Sequence, residues 1–278
     1  MSPVSKTDEM KTQVKGMEAK LARLANIGFV QSLPKITRNS KSFPFKGMPD
    51  VIINAEHASV RIIGWDQPEV KYTLINVSNP RARSGVLVNE DVAASKGKIT
   101  LSGNSPNDAM RGPLAWRNET RIEIYVPKRS NLQVTTSGEI RIEGVSGKLE
   151  IKGGDQAVNL RDIEGELSVS SMSGSVRLVG SGGSVKARSD TGMISLDGDF
   201  QSVDARSDGG VIIITLPALS NSSVVARGEN ISFLGLSALP ESNDVSEQKF
   251  RIRNGGRPLI LETNGSVLVR SDESISIR

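Results

Sequence analysis

SGSVRLVG at Ser173–Gly180, TGMISLDG at Thr191–Gly198 and GGVIIITL at Gly209–Leu216 repeat one phrase, each copy 18 residues after the last. Carried outward, the phrase sets Ile140, Val158, Val176, Ile194 and Ile212 in one column, with Ile142, Leu160, Leu178, Leu196 and Ile214 two residues further on. A second pair of columns holds Leu149, Leu167, Val185 and Val203 beside Ile151, Val169, Ala187 and Ala205, while Leu132 and Val134 stand 17 residues before Leu149 and Ile151. Self-similarity at a fixed short step marks a stacked repeat architecture and outranks local propensity.

Each repeat carries two period-2 apolar pairs, so it reads as two short strands joined by two turns. Strand side chains alternate faces, so Ile140 and Ile142 point inward while Glu139, Arg141 and Glu143 point out. Glycine columns at the corners, Gly138, Gly174, Gly192 and Gly210 in one and Gly147, Gly165 and Gly183 in another, suit turns that need a positive φ. Gln156 interrupts the first glycine column after Gly153-Gly154, which displaces that corner. The expected fold is all-β: a right-handed parallel β-helix of about 18 residues per coil, preceded by a short N-terminal α-helix.

Composition fits thin coils, with 37% hydrophobic but only 4% aromatic residues among 278. No stretch approaches the ~20 apolar residues of a membrane span. Met1 to Lys20 is polar and charged, without a secretory pattern, which leaves cytosolic residence and a processed or partial chain both open. The absence of cysteine is compatible with an oxidising compartment. Charge is uneven. Residues 1–50 hold nine Lys/Arg against four Asp/Glu, whereas the remainder holds 26 against 27. This basic arm reads first as a solvated lead-in segment, with contact to an acidic membrane surface or nucleic acid as the alternative.

Residues 1–46 therefore read as a basic helix and extended connector, and residues 47–278 as the repeat domain. Within the arm, Met10, Val14, Met17, Leu21 and Leu24 follow heptad spacing between Ser5 and Asn26. The run is too short for a coiled coil and better suits one apolar face lying on the stack. Residues 47–130 are β-rich but out of register and are expected to form irregular first coils covering one end. Residues 131–216 form the regular coils, and residues 217–278 the last ones. There Val224 and Ala226 follow Val203 and Ala205 at a step of 21, and a loop is expected at Ser237–Gln248.

Gly64-Trp65-Asp66, Glu69-Val70, Tyr125-Val126-Pro127 and then Ser137-Gly138-Glu139-Ile140, Ser173-Gly174-Ser175-Val176, Thr191-Gly192-Met193-Ile194 and Asn264-Gly265-Ser266-Val267 resemble the bacterial adhesin-like domain of unknown function. The resemblance runs from about Phe45 to the C-terminus. It implies a right-handed parallel β-helix on exported or membrane-anchored bacterial proteins, in the periplasm or outside the cell. It brings no catalytic residues, and the acid often found after the glycine stands here only as Glu139.

Candidate chemistry is sparse. His57 is the only histidine, so Cys/His zinc sites and His-rich metal sites are excluded. No nucleophile motif accompanies it. Ala187-Arg188-Ser189-Asp190 recurs as Ala205-Arg206-Ser207-Asp208, with Arg270-Ser271-Asp272 as a later echo. Stacked Asp190 and Asp208 would suit acid–base work on a polysaccharide or calcium binding. With Arg188 and Arg206 they would more simply make a surface charge ladder. Met193, Val211 and Ile213 make the outer face apolar near Ile212, so a cover is expected from the N-terminal helix, the Ser237–Gln248 loop or a second subunit. Trp65 and Trp116 read as loop-packing residues before sugar platforms.

The function expected is a non-enzymatic, adhesin-like repeat presenting a rigid surface at the bacterial cell envelope. A polysaccharide-acting enzyme using Asp190 and Asp208 and an end-to-end polymerising scaffold are the alternatives. No cofactor or metal is expected. The partner is an unknown surface, polysaccharide or protein. Nucleic acid is disfavoured, because no basic stripe interleaved with aromatics is found, while homo-oligomers stay open.

Overall fold

The computed structural model of the chain describes residues 35–78, 87–93, 98–104, 119–243 and 247–275. The expected helix at Ser5–Asn26 and Trp116 lie outside them. The N-terminal strands are β1 (Lys35–Pro44), β2 (Asp50–Ala55), β3 (Ser59–Trp65), β4 (Glu69–Ser78), β5 (Leu87–Ala93), β6 (Lys98–Asn104) and β7 (Glu119–Pro127). Then come β8 (Asn131–Thr136), β9 (Ile140–Glu143), β10 (Ser146–Lys152), β11 (Val158–Arg161), β12 (Glu164–Ser171), β13 (Val176–Ser189), β14 (Ile194–Ser207) and β15 (Ile212–Leu216). The last are β16 (Ser222–Arg227), β17 (Asn230–Leu234), β18 (Ala238–Asn243), β19 (Gln248–Ile252), β20 (Arg257–Thr263) and β21 (Ser266–Ser271), followed by a single 3-10 turn. All belong to one mixed sheet.

The 18-residue step is a hydrogen-bonding register. Val158 pairs in parallel with Ile140 and with Val176, and Val176 with Ile194. Leu167 pairs likewise with Leu149 and Val185. Two rows of strands result. One runs β5–β6–β2–β8–β10–β12–β13–β14–β20–β16–β19–β18. The other runs β1–β4–β7–β3–β9–β11–β13–β14–β15–β21–β17. β13 and β14 are long enough to bend through the corner and serve both rows. The inward residues of both rows meet in one buried cluster. Val145, Ile163 and Phe200 at the corners belong to it, and Ser181 is buried beside them.

Stacking order departs from chain order at both ends. Val51 and Ile53 pair with Leu132 and Val134, and Val60 with Ile140, so β2 and β3 continue the register that period arithmetic loses before residue 131. On their far side lie β6 and β7, later in the chain. At the other end Val203 and Ala205 pair with Leu259 and Leu261, which in turn pair with Val224 and Ala226. The 21-residue slip to Val224 is therefore not a stacking step: β20 and β21 fill the gap. The expected loop at Ser237–Gln248 is also corrected, because β18 and β19 form a hairpin edge. Pro240 is tolerated there because an edge strand, with a register shift beside it, does not need its N–H.

Corners are held by a hydroxyl column that alternation alone does not reveal. Ser189 Oγ accepts from Gly192 N at 2.9 Å, Ser207 Oγ from Gly210 N at 2.9 Å, and Thr263 Oγ1 from Gly265 N at 3.0 Å. Both glycine columns approach the neighbouring layer too closely for a side chain, and only the second adds a positive φ. Gly165 and Gly183 have φ of 107° and 88°, as expected. Gly192 does not; a Cβ there would stand 2.3 Å from the Gly174 carbonyl oxygen, so close backbone stacking excludes a side chain. Gly192→Ala should cost about 1–3 kcal/mol in urea unfolding. Gly209→Ala, with open space around it, should be near neutral.

Candidate functional site

Every buried column has outward neighbours in the same register, so the surface is a set of side-chain rows at strand spacing, ~4.8 Å. Arg188 does stack beside Arg206. Asp190 and Asp208 lie in exposed turns, where their backbones bond Met172 O and Ser189 O at 3.0 and 3.2 Å. Among the described residues no ion pair joins either aspartate to Arg188 or Arg206. No group of three or more His, Asp or Glu there could hold a metal ion.

The charge ladder instead uses partners that the four-residue motif does not contain. Arg206 donates to Asp204 at 2.8 Å and pairs with Glu262 at 3.3 Å. Arg227 bridges Glu262 at 3.2 Å and Glu247 at 2.6 Å, and Lys249 reaches Glu247 at 3.2 Å. The echo Arg270-Ser271-Asp272 belongs to the other strand row, where Arg270 donates to Thr215 at 3.0 Å. The true successor of Ser207 is Thr263.

Hydrogen bonds from Arg227 and then Lys249 hold the Glu247 carboxyl below the ordinary carboxylate range. The Asp204 hydrogen bond likewise makes Arg206 more basic than usual. A carboxylate depressed in the folded state adds stability above its unfolded pKa and loses it as pH falls through the folded value. Wild type should therefore exceed Glu247→Gln in urea midpoint at neutral pH. The gap should close below about pH 4, the ordinary glutamate range. An exposed pair makes this effect small.

The apolar patch is present and has no cover among the described residues. Met193 is 44% and Val211 40% exposed. Ile213 is half-buried between Ser195 and Leu268. Of the three expected covers, the Ser237–Gln248 segment is the hairpin strand β18, bonded through β19 to β16 in the other row, and the N-terminal helix lies outside the described residues.

On that patch's own row, towards β3, lie two shallow depressions that share Arg141. One of about 180 Å³ is lined by Arg61, Arg121, Glu139 and Arg141, among others. The other, about 430 Å³, is lined by Arg141, Glu143, Asn159, Arg161 and Arg177 together with the strands beneath. Arg141 pairs with Glu139 at 3.2 Å.

Two smaller features resolve simply. His57 Nδ1 lies 2.9 Å from Ser137 Oγ, but that hydroxyl donates to the Glu56 carbonyl, so His57 is the donor in this contact and no base faces the serine. Trp65 donates to Glu69 O at 2.9 Å and packs on Tyr125 with ring centroids 5.3 Å apart, a loop-packing role.

No family model and no curated protein matches the chain. Solved structures do. The chain is similar to a candidate adhesin from Bacteroides fragilis at 12% identity and a TM-score of 0.44, covering 84% of this chain and 97% of that one. It is similar to a candidate cell adhesion protein from Clostridium sporogenes at 11% identity and a TM-score of 0.37, covering 86% and 100%. A third, a candidate lipid-binding protein from Parabacteroides distasonis, aligns at 12% identity and a TM-score of 0.27, covering 84% and 96%.

No described helix is long and apolar enough to cross a membrane. Sequence reasoning found the Arg188–Arg206 row and the apolar patch but missed the arginine groove. Its signal, Arg141 and Arg177 at the same outward position two repeats apart, was legible. The third member, Arg61, was hidden by its 80-residue separation from Arg141.

Proposed function

We propose that this chain is a non-enzymatic, right-handed parallel β-helix that holds rigid rows of side chains against a partner at the bacterial cell envelope, in the periplasm or outside the cell. One observation carries the reading. The outward row Arg61, Arg141, Asn159, Arg177, Ser195, Ile213 and Leu268 crosses adjacent strands in unbroken register. Side chains anchored on a hydrogen-bonded stack lose little freedom when a repetitive partner docks. The basic N-terminal arm would add attraction to an anionic surface. Exposed turn positions for Asp190 and Asp208 favour display over hydrolysis, since paired catalytic carboxylates need a shared cleft. The test is cosedimentation of the full chain with isolated envelope fractions, alongside a reducing-end assay on uronic-acid polymers. Retention without turnover is expected; turnover would overturn the reading.

A second reading, end-to-end assembly, is favoured by the strand edge at β17, which among the described strands bonds only β21 and carries Leu234 at 53% exposure. Light scattering over a concentration series separates the two, because a display module stays one discrete species.

A further inference from the structure

We propose that the groove over β3, β9, β11 and the start of β13 binds an anionic polysaccharide, carboxylated or sulfated, laid along the stacking direction. This inference rests on the display reading above and names the partner of its outward row.

Five arginines, Arg61, Arg121, Arg141, Arg161 and Arg177, line the two depressions against two glutamates. Arg61 and Arg141 are directly opposite one another across the β3–β9 pairing. Like charges in that position destabilise a sheet; Glu139 pairs with Arg141 and Glu123 stands opposite Arg61 on its other side, whereas no ion pair to Arg61 or Arg177 occurs among the described residues. An anion laid over the row adds counter-charge where five arginines outnumber the acids beside them. Arg141 and Arg177 are two strands apart, so cationic groups recur at ~4.8 and ~9.6 Å along the stack. A polymer with regularly spaced acidic groups can meet several at once. Planar guanidinium forks suit carboxylate and sulfate oxygens.

The remaining lining distinguishes a sugar chain from a nucleic acid. Glu143 and Asn159 lie between the arginines. They would accept hydrogen bonds from sugar hydroxyls, which every unit of a glycan presents and a DNA backbone does not. Single-stranded nucleic acid is held by stacking on aromatic side chains, and among the described residues no aromatic lines either depression.

The experiment is equilibrium binding of the full chain to polygalacturonate and to dextran sulfate, with neutral dextran and a thymidine oligonucleotide as comparators. Binding to at least one acidic glycan, weakening with added salt, is expected, and none to dextran. R61Q/R141Q/R177Q should weaken that binding by about tenfold or more, the equivalent of one charged hydrogen bond. It should melt close to wild type, because the like-charge repulsion it removes offsets the loss of the exposed Arg141–Glu139 pair. K148Q/K152Q/K186Q, an equal charge change on the other strand row, should shift binding by less than about twofold, as expected where only screened long-range charge is altered. The two glycans distinguish carboxylate from sulfate recognition. Absence of binding to both, equal weakening by the control variant, or equal affinity for the oligonucleotide overturns the inference. The first of these, with envelope retention intact, would leave the display reading standing. Reducing-end release would instead overturn the display reading and leave the groove as a binding site.

Discussion

A chain ending at Gly256 will lose its cooperative thermal transition rather than fold into a shorter version of the same stack. The missing strands β20 and β21 are not the outermost layer. β20 lies between β14 and β16, and β21 between β15 and β17. Their removal takes away Leu259, Leu261, Val267 and Val269, all buried. At roughly 1.5–3 kcal/mol each, these side chains together approach the whole stability of an ordinary domain, 5–15 kcal/mol. It also unpairs the strands on both sides, whose N–H and C=O groups then lack partners. Circular dichroism melting and limited proteolysis will read the outcome. A truncated chain that still melts cooperatively would mean that β16 had closed directly onto β14, in the register a simple 21-residue step suggests.

The largest single-residue effect is expected at the middle of the stack. Ile194 is fully buried and pairs with Val176 on one side and Ile212 on the other. Ile194→Ala should cost about 2–5 kcal/mol in urea unfolding, the transfer loss plus an unfilled cavity. Val176→Ala touches the same cavity, so the double variant should depart from additivity by about 0.5 kcal/mol or more. Ile260→Ala supplies the contrast. Ile260 is 38% exposed on the outer face of β20, and its truncation should change stability by less than about 0.5 kcal/mol. Equal losses at Ile194 and Ile260 would mean that the inward and outward faces had been exchanged.

The stack order has a kinetic consequence. Pairing of β2 with β8 joins residues 81 apart, and pairing of β14 with β20 joins residues 56 apart. Both require loop closure before contacts reward it. The regular repeats between them need only local closure and are the natural starting point for folding. The terminal layers, which need the long closures, are expected to form after them.

The candidate site was partly legible for the same reason. Arg188 and Arg206 share a row because 18 residues separate them, and the structure keeps them there. The partners that neutralise Arg206 come from elsewhere: Asp204 from the same strand and Glu262 from the inserted β20. No local motif announces Glu262. The arginine groove is similar, because Arg141 and Arg177 share a column within the repeat while Arg61 arrives from β3.

The sequence by itself determined the repeat length, the inward and outward faces and the pairing of neighbouring repeats from β8 to β15. It could do so because parallel strands in register place residues one period apart side by side, and burial then selects aliphatic side chains at those positions. Only the tertiary structure decided which layers sit at the ends, because β2–β3 and β20–β21 are placed by hydrogen bonding across long separations that no fixed period encodes. It also decided why Gly192 is glycine, since the obstacle is the carbonyl of the neighbouring layer rather than the residue's own backbone angle.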